Sequence, residues 1–337
     1  MLVLGLETTC DETSCALVRD GVEILSLVIS SQIDLHREFG GVVPELACRR
    51  HIDVISAVLQ EALEKANCLL SDVDLIAVAR GPGLIGALLI GITFAKGLAY
   101  ANKIPLVGVN HIEAHLYAAM MTADPKNLMF PSLGVVLSGG HTSLVLIHKI
   151  GSYTLLGQTV DDAIGEAFDK VAKILDLPYP GGPEIERLAK DAALDTLQFK
   201  PGKVKGRPLD FSFSGIKTNV LYKVRGNDLK RITPLLAEEK GAIAKAFQRS
   251  VFQDVIEKIQ LAVQENPVKA IFLGGGVTQN KELRRMLQEA TTLPLFWPKL
   301  DLCMDNGAMI AGLGYQKFLE NKEDMLFTIE PETRMPF

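Results

Sequence analysis

The chain has 337 residues, of which 48% are hydrophobic and 22% are charged, so it can bury the cores of two domains of ordinary size. Its formal net charge of −5 excludes a general polyanion binder, and its five cysteines, without a CxxC pair, favour reduced thiols in a cytoplasm. No signal peptide is recognisable before the first strand pattern, and no apolar run reaches about 18 residues, so we expect no membrane-spanning helix.

Apolar runs bounded by turn residues predict three strands before the first long helix. The elements predicted in this part of the chain are strands at 3–7, 14–19 and 23–30, a helix at 45–67, a strand at 74–79, a helix at 84–101, a strand at 106–109 and a helix that begins at His111. The polar stretch at 124–131 contains two prolines and predicts a domain boundary.

The same succession then begins again. The elements predicted here are strands at 132–137, 143–149 and 153–158, helices at 163–175, 183–193 and 234–265, a strand at 270–273, a helix at 280–289, a strand at 295–297 and a final helix at 305–319. This repetition predicts a duplicated α/β architecture with a cleft between its halves. Ligands would bind in the cleft, at the turns that follow strand ends.

Two histidines and one aspartate form a candidate metal site. His111 and His115 are four residues apart, which on a helix puts both imidazoles on one face. Together with the carboxylate of Asp305 they would leave coordination positions open, as in a catalytic rather than a structural metal site. Two packed or solvated histidines are the alternative interpretation.

Three turns carry residues suited to a phosphate or nucleotide. The polar turn at 7–13 and the turn at 138–142 occupy matched places in the two halves, and their hydroxyls, glycines and backbone N–H groups can hold a phosphate. The glycine triplet at 274–276 follows a strand but lacks the Gly-Lys-Ser/Thr of a Walker motif. Ordinary tight turns remain the alternative for each.

The stretch from Lys200 to Arg231 contains nine basic and two acidic residues, in contrast to the acidic remainder of the chain. A solvated surface and a phosphate-contacting surface for nucleic acid both fit this pattern.

Eight motifs in one order identify a family resemblance. They are the first polar turn, Pro44-Glu45-Leu46-Ala47, the His111/His115 pair, Ser138-Gly139-Gly140-His141-Thr142, Gly165 to Lys170, Tyr179-Pro180-Gly181-Gly182-Pro183, Asp210 to Thr218, and Asp305-Asn306-Gly307-Ala308-Met309. The chain resembles the TsaD family of tRNA threonylcarbamoyladenosine synthesis proteins over about residues 1–315.

The resemblance implies a duplicated actin/Hsp70/sugar-kinase-like (ASKHA) α/β fold with two lobes and a central cleft. The first lobe would span 1–125 and be rejoined by a C-terminal helix at 304–325. The second would span 126–303, with a basic helical insertion at about 194–232. The implied reaction transfers L-threonylcarbamoyl from threonylcarbamoyl-AMP to N6 of adenosine 37 in tRNAs that read ANN codons, and releases AMP.

The resemblance also implies a set of site residues. The metal ligands would be His111, His115 and Asp305, with Fe²⁺ as the expected ion and Zn²⁺ or Mn²⁺ as alternatives. Contacts to the threonylcarbamoyl adenylate would come from Leu137, Ser138, Gly139, Gly140, Asp169, Gly182, Glu186 and Asn280. For the base that takes the proton from N6, we consider Asp11 or Glu12 in the first turn.

The implied partners are tRNA, an upstream threonylcarbamoyl-AMP synthase, a fold-related subunit that forms a heterodimer, and a small P-loop ATPase; no membrane is among them. Two positions depart from the family pattern: Glu186 stands where an aspartate is common, and Arg80 has no assigned role. A metalloprotease is one alternative, although His-Ile-Glu-Ala-His is not His-Glu-x-x-His. An ATPase of the same fold and a non-catalytic scaffold are the others.

Overall fold

The computed structural model describes residues 1–123, 128–192, 197–226, 235–321, 326 and 328–337. The chain divides into two compact units, one formed by Met1–Leu128, Lys149–Tyr153 and Phe296–Phe337 and the other by Met129–His148 and Thr154–Leu295. Parts of the predicted boundary at 124–131, of the insertion at 194–232, and of the helices at 183–193, 234–265 and 304–325 lie outside the described residues.

The first unit is built on a five-stranded sheet. Its elements are β1 (Leu2–Glu7), β2 (Glu12–Arg19), β3 (Glu23–Ser31), α1 (Ile33–Arg37), α2 (Pro44–Ala66), β4 (Leu75–Gly81), α3 (Ile85–Asn102), β5 (Leu106–Asn110) and α4 (His111–Thr122), with α10 (Gly307–Asn321) returning from the far end of the chain. The strand order is β3-β2-β1-β4-β5. β1 pairs antiparallel with β2 and parallel with β4, which pairs parallel with β5.

The second unit repeats this plan. Its elements are β6 (Ser132–Leu137), β7 (Thr142–Lys149), β8 (Ser152–Gln158), α5 (Ile164–Ile174), α6 (Gly181–Asp191), α7 (Ser214–Arg225), α8 (Ala237–Glu265), β9 (Ile271–Gly274), α9 (Lys281–Ala290) and β10 (Leu295–Phe296). The strand order is β10-β9-β6-β7-β8, with β6 antiparallel to β7 and parallel to β9. Read in the opposite direction, the second order is β8-β7-β6-β9-β10, which matches β3-β2-β1-β4-β5 strand for strand. The duplicated architecture is therefore confirmed.

Helices cover both faces of the first sheet. Leu4 and Leu6 of β1 share a core cluster with Val58 of α2 and Leu88 of α3. On the opposite face, a Cβ at Gly5 would overlap the backbone of α10, so the glycine lets that helix lie directly on the central strand. In the second unit the core is aromatic, with six fully buried phenylalanines at 168, 211, 213, 247, 252 and 272.

The differences from the predicted elements are local. The final helix begins at Gly307 rather than at residue 305, because Asn306 caps it by accepting a hydrogen bond from the N–H of Met309 at 3.0 Å. Helices α1 and α7 were not individually predicted. Among the described residues, one helix, Ile85–Asn102, is long and apolar enough by composition to cross a membrane. It is α3, whose Leu88, Ile92 and Ala95 belong to the core of the first unit.

Candidate functional site

The first unit brings together His111, His115 and Asp305, the three predicted metal ligands. Each offers one ligand atom, and these atoms lie within 4.8 Å of one another. Asp305 Oδ1 is 3.5 Å from His111 Nε2 and 3.1 Å from His115 Nε2. Both imidazoles are buried, and the aspartate is partly exposed.

Local sequence explains how the ligands come together. Asn110 ends β5 and caps α4, so that His111 is the first helical residue and His115 lies one turn later. Asp305 directly precedes the cap of α10, whose Gly307 N–H donates to Ser14 Oγ of β2 at 2.9 Å. The close packing of α10 on β1 therefore brings a residue near the end of the chain to the histidine helix.

Glu7, at the carboxyl end of β1, contacts His111 of the candidate metal site. It is fully buried, and its Oε2 lies 2.9 Å from His111 Nδ1 while its Oε1 accepts the N–H of Thr9 at 2.5 Å. A hydrogen on Nδ1 would leave Nε2 of His111 facing Asp305. Burial alone would lower the pKa of His111, but the carboxylates of Glu7 and Asp305 outweigh it and raise that pKa to about 9.

A metal ion fits these residues. Although His115 Nε2 is close to Asp305, neither ring nitrogen of this buried imidazole has a hydrogen-bond partner in the described part of the chain. Burial also lowers the pKa of His115, which favours the neutral imidazole that a metal requires. Two imidazoles and one carboxylate suit Fe²⁺, Zn²⁺ or Mn²⁺.

The candidate bases Asp11 and Glu12 are both buried in the first unit. Burial, followed by the charges of Asp11 and Asp305, raises the pKa of Glu12 well above its usual range. The turn that carries them is fixed by His51, whose imidazole contacts Thr13 Oγ1 at 2.8 Å and the Cys10 carbonyl at 3.0 Å.

In the second unit, the turn after β6 is open to a ligand. Ser138 closes the turn through its backbone N–H, which donates to the His141 carbonyl at 2.8 Å, and its Oγ accepts the His141 N–H at 3.0 Å. Cβ atoms at Gly139 and Gly140 would meet nothing within 4 Å. Leu137, by contrast, is fully buried and can offer only its backbone.

The other predicted adenylate contacts lie in the same unit, on α5 and α6 and at the start of α9. Asp169 of α5 accepts the N–H of Gly181 at 2.7 Å, while a Cβ at Gly182 would meet open space. Glu186 accepts the N–H of Lys281 at 2.8 Å, next to Asn280, which caps α9 and donates to Gln248 at 2.9 Å. Helix α5, which carries Asp169, contacts both α6 and the turn at 276–279 that precedes Asn280.

Part of the basic stretch is engaged within the second unit. Arg207 forms an ion pair with Asp210 at 2.9 Å, and Lys217 with Asp162 at 2.9 Å. The exposed basic side chains among the described residues of this stretch are Lys200, Lys203, Lys205, Arg207 and Lys223. Lys230 and Arg231 lie outside the described residues.

Several residues at these sites were not predicted from the sequence. Glu7 and Thr9 contact the imidazole of His111, and His51 contacts the turn at residues 7–13. A glutamate that ends a wholly apolar strand is the one sequence signal that could have identified Glu7, because a buried carboxylate requires a partner.

The fold and the His/His/Asp cluster define a class: an ASKHA-type α/β protein with a metal-binding candidate in its first unit. Two solved structures share the fold at 16% sequence identity. HypF of T. kodakarensis gives a TM-score of 0.62 and covers 97% of this chain and 49% of its own. The Acidaminococcus fermentans (R)-2-hydroxyglutaryl-CoA dehydratase component A gives 0.55 and covers 94% and 98%.

The chain belongs to the TsaD family, tRNA N6-adenosine threonylcarbamoyltransferase, whose family model matches residues 23–312. A Protochlamydia amoebophila protein of that name is 58% identical and covers 100% of this chain and 98% of its own. A Chlamydia felis protein of the same name is 49% identical and covers 96% and 93%. The family resemblance inferred from the eight motifs is confirmed.

Proposed function

We propose that this chain transfers L-threonylcarbamoyl from threonylcarbamoyl-AMP to N6 of adenosine 37 in tRNAs that read ANN codons, at a centre formed by His111, His115 and Asp305. As a member of its family the chain is an acyltransferase that modifies tRNA. The observation that carries the proposed centre is the close approach of its three ligand atoms, which lie within 4.8 Å of one another, with both imidazoles buried.

The bonds of the proposed reaction balance without a further reactant. The N6 amine attacks the carbamoyl carbon, the bond from that carbon to the phosphate oxygen breaks, and AMP leaves with the electron pair. The proton from N6 goes to the carboxylate of Glu12 or to that of the neighbouring Asp11. A divalent ion at the His/His/Asp centre would supply Lewis-acid activation and orientation of the threonylcarbamoyl group.

The second unit would hold the adenylate. The open turn at Ser138, Gly139 and Gly140, which follows the buried Leu137, offers backbone N–H groups to the acyl phosphate. Asp169, Gly182, Glu186 and Asn280 would seat the adenosine part. The hydrogen bonds that Asp169 and Glu186 make to backbone N–H groups hold both carboxylates in place.

The described basic side chains between Lys200 and Arg225 are proposed as part of the tRNA surface. Lys205 and Lys223 are exposed, and neither forms an ion pair with another residue in the described part of the chain. An adenosine in an anticodon loop can be splayed out without opening a duplex. The ion is proposed to be Fe²⁺, with Zn²⁺ or Mn²⁺ as alternatives, and the protein to act in the cytoplasm.

The proposed partners are the adenylate synthase upstream, a fold-related subunit and a small P-loop ATPase. An exposed apolar face on α3 supports a protein partner on the first unit. Ile85, Leu89 and Tyr100 lie along this face and are 51%, 47% and 73% exposed. Exposed apolar side chains on one face of a helix are typical of a protein interface.

The structure gives one argument against a metalloprotease. Glu113 is the acid between the two histidines, and its Oε2 atom lies 3.2 Å from Lys317 Nζ. A peptidase would need a carboxylate as its base, and the carboxylate of Glu113 is engaged in this ion pair.

The proposed function is tested by reconstitution. Unmodified tRNA is incubated with L-threonine, bicarbonate, ATP, an adenylate synthase and the partner subunits, together with wild type or the His111→Ala/His115→Ala variant. His148→Ala, which changes an exposed histidine of β7, is the matched control. Modified tRNA with wild type and control, but not with the double variant, is the expected result.

The other outcomes separate the alternatives. Equal product with the double variant would remove the metal centre from the reaction. No product with any variant, while the adenylate accumulates, would favour the scaffold.

A further inference from the structure

The last described segment of the chain, residues 328–337, lies against the first sheet at the carboxyl ends of β4 and β5. Ile329 is fully buried in the core of the first unit. The backbone N–H of Glu332 donates to the Arg80 carbonyl at 2.8 Å, and its carboxylate forms an ion pair with the Arg80 guanidinium. The Pro336 carbonyl accepts a hydrogen bond from Asn110 Nδ2 at 2.9 Å. We call residues 329–336 the C-terminal strap.

The end of β4 is adapted to this contact. A Cβ at Gly81 would overlap the carbonyl oxygen of Glu332, so only glycine permits the strap to approach the strand so closely. Arg80, which departs from the family pattern and had no assigned role, is the charge partner of the strap. Two adjacent residues of β4 therefore hold Glu332 through both backbone and side chain.

Asn110 connects the strap to the histidine helix. Its Oδ1 accepts the N–H groups of Ile112 at 2.8 Å and Glu113 at 3.3 Å, while its Nδ2 donates to Pro336. Serine, threonine or aspartate would cap α4 equally well, but of the common cap residues only asparagine adds an amide donor on the other side. Asn110 is fully buried, so the loss of the hydrogen bond to Pro336 or of those to α4 leaves a buried polar group that water cannot reach.

The strap is thereby one residue away from a proposed metal ligand. His111 follows Asn110 directly and opens α4, so any displacement of the cap also displaces His111. The ligand atoms of His111, His115 and Asp305 must stay together to coordinate one ion. Glu7 Oε2 lies 2.9 Å from the imidazole of His111, and the strap contacts the side chain of the cap residue that precedes His111.

We propose that the C-terminal strap positions the first turn of α4 for metal binding, with Glu332, Arg80 and Asn110 as positioning residues. The proposal rests on the metal centre proposed above. Groups that orient a metal ligand typically contribute about 10–100-fold in metal affinity. Because the strap acts through the backbone of one ligand, we expect a contribution of about tenfold, at the low end of that range.

The test measures Co²⁺ binding to the metal-free full chain. Asn110→Ser keeps a cap for α4 and removes only the amide donor to Pro336. Glu332→Gln removes the charge that pairs with Arg80, and Glu330→Gln, at an exposed position of the same segment, is its matched control. A chain that ends at Pro331 removes both contacts.

The expected result is a Kd for Co²⁺ about tenfold higher for Asn110→Ser and for the shortened chain. We also expect a raised Kd for Glu332→Gln and an unchanged Kd for Glu330→Gln. Thermal unfolding without metal identifies a variant that fails to fold; if the shortened chain does so, the two point variants still decide.

Wild-type Kd values in both Asn110→Ser and Glu332→Gln would overturn the role of the strap while leaving the metal centre in place. Failure of wild type to bind Co²⁺, or binding that His111→Ala leaves intact, would instead overturn the metal centre on which the strap proposal rests.

Discussion

Replacement of Glu7 by glutamine tests how the outer hydrogen bond tunes the proposed metal centre. Glu7 accepts hydrogen bonds on both oxygens, from His111 and from Thr9. Glutamine has the same shape but only one acceptor oxygen, and it carries no charge. The substitution therefore weakens the support of His111 and removes one of the two carboxylates that raise its pKa.

The weaker support of His111 lowers the affinity for metal, whereas the lower pKa of His111 raises it at neutral pH. Measurements at different pH values separate the two effects. In wild type the pKa of His111 is about 9, so a metal must displace a proton from this imidazole at neutral pH. At pH 7 about 1% of the metal-free His111 is neutral, and the affinity for metal is about a hundredfold below its value above pH 9. In Glu7→Gln, burial is opposed only by Asp305, the pKa of His111 falls, and this proton competition diminishes.

Above pH 9 only the orienting bond matters. Its loss should weaken metal binding about 10–100-fold, or about 1.4–2.7 kcal/mol. We therefore expect Glu7→Gln to bind Co²⁺ as tightly as wild type or more tightly at pH 7, and 10–100-fold more weakly at pH 9. The ratio of the two Kd values should rise steadily between these limits.

The assay is a titration of metal-free protein with Co²⁺ against a weak chelator, at half-unit steps from pH 6.5 to pH 9.5 (roughly the span over which such an imidazole titrates). The control is Glu113→Gln. Glu113 is a buried glutamate of α4 that pairs with Lys317, and this variant should follow the wild-type pH profile. Parallel pH profiles for wild type and Glu7→Gln would refute the reasoning.

Three further predictions concern separate parts of the molecule. Asp161 accepts hydrogen bonds from Ser212, Ser214 and two backbone N–H groups at the start of α7; these bonds, although burial opposes them, hold its pKa below the usual range. The contribution of Asp161 to stability is therefore present at neutral pH and lost as the pH falls through that lowered pKa. Asp161→Ala should lower the free energy of unfolding by about 1 kcal/mol in thermal or urea denaturation at pH 7, and unchanged stability would contradict a stabilising role of these hydrogen bonds. The double substitution Ile85→Asp/Leu89→Asp should abolish the heterodimer in sedimentation experiments without lowering Co²⁺ affinity, whereas an intact heterodimer would place the partner elsewhere. Reversal of charge at Lys203, Lys205 and Arg207 should reduce the salt dependence of tRNA binding. The slope of the logarithm of the binding constant against the logarithm of the salt concentration should fall in magnitude by about 0.7–0.9 for each phosphate that these side chains neutralise in wild type. An unchanged slope would show that these side chains are not part of the tRNA surface.

How far the sequence predicts the site depends on the distance over which each contact forms. The helical spacing of His111 and His115 is local, and the family motifs supply Asp305, so the cluster could be anticipated. The bond from Glu7 to His111 joins residues 104 positions apart, and the pair of Arg80 and Glu332 joins residues 252 apart. Such contacts have no periodicity, because the fold alone brings the two residues together.

The predicted elements show the same division. Strands and long helices follow from apolar patterns within a few residues, so their positions agree with the structure. Helix α7 begins where Asp161, more than fifty residues earlier, accepts hydrogen bonds from Phe213 and Ser214. Its start therefore depends on a partner that no local window of sequence contains.

The return of α10 to the first sheet has a consequence for synthesis of the protein. Ribosomes make Glu7 and both histidines early, but Asp305 comes after the whole second unit, and Pro336 comes after that. A nascent chain can therefore complete the fold of residues 129–295 while the first unit still lacks the helix that packs on β1. Loading of the proposed centre with metal would then be among the last events of maturation, and a prematurely terminated chain would remain unloaded.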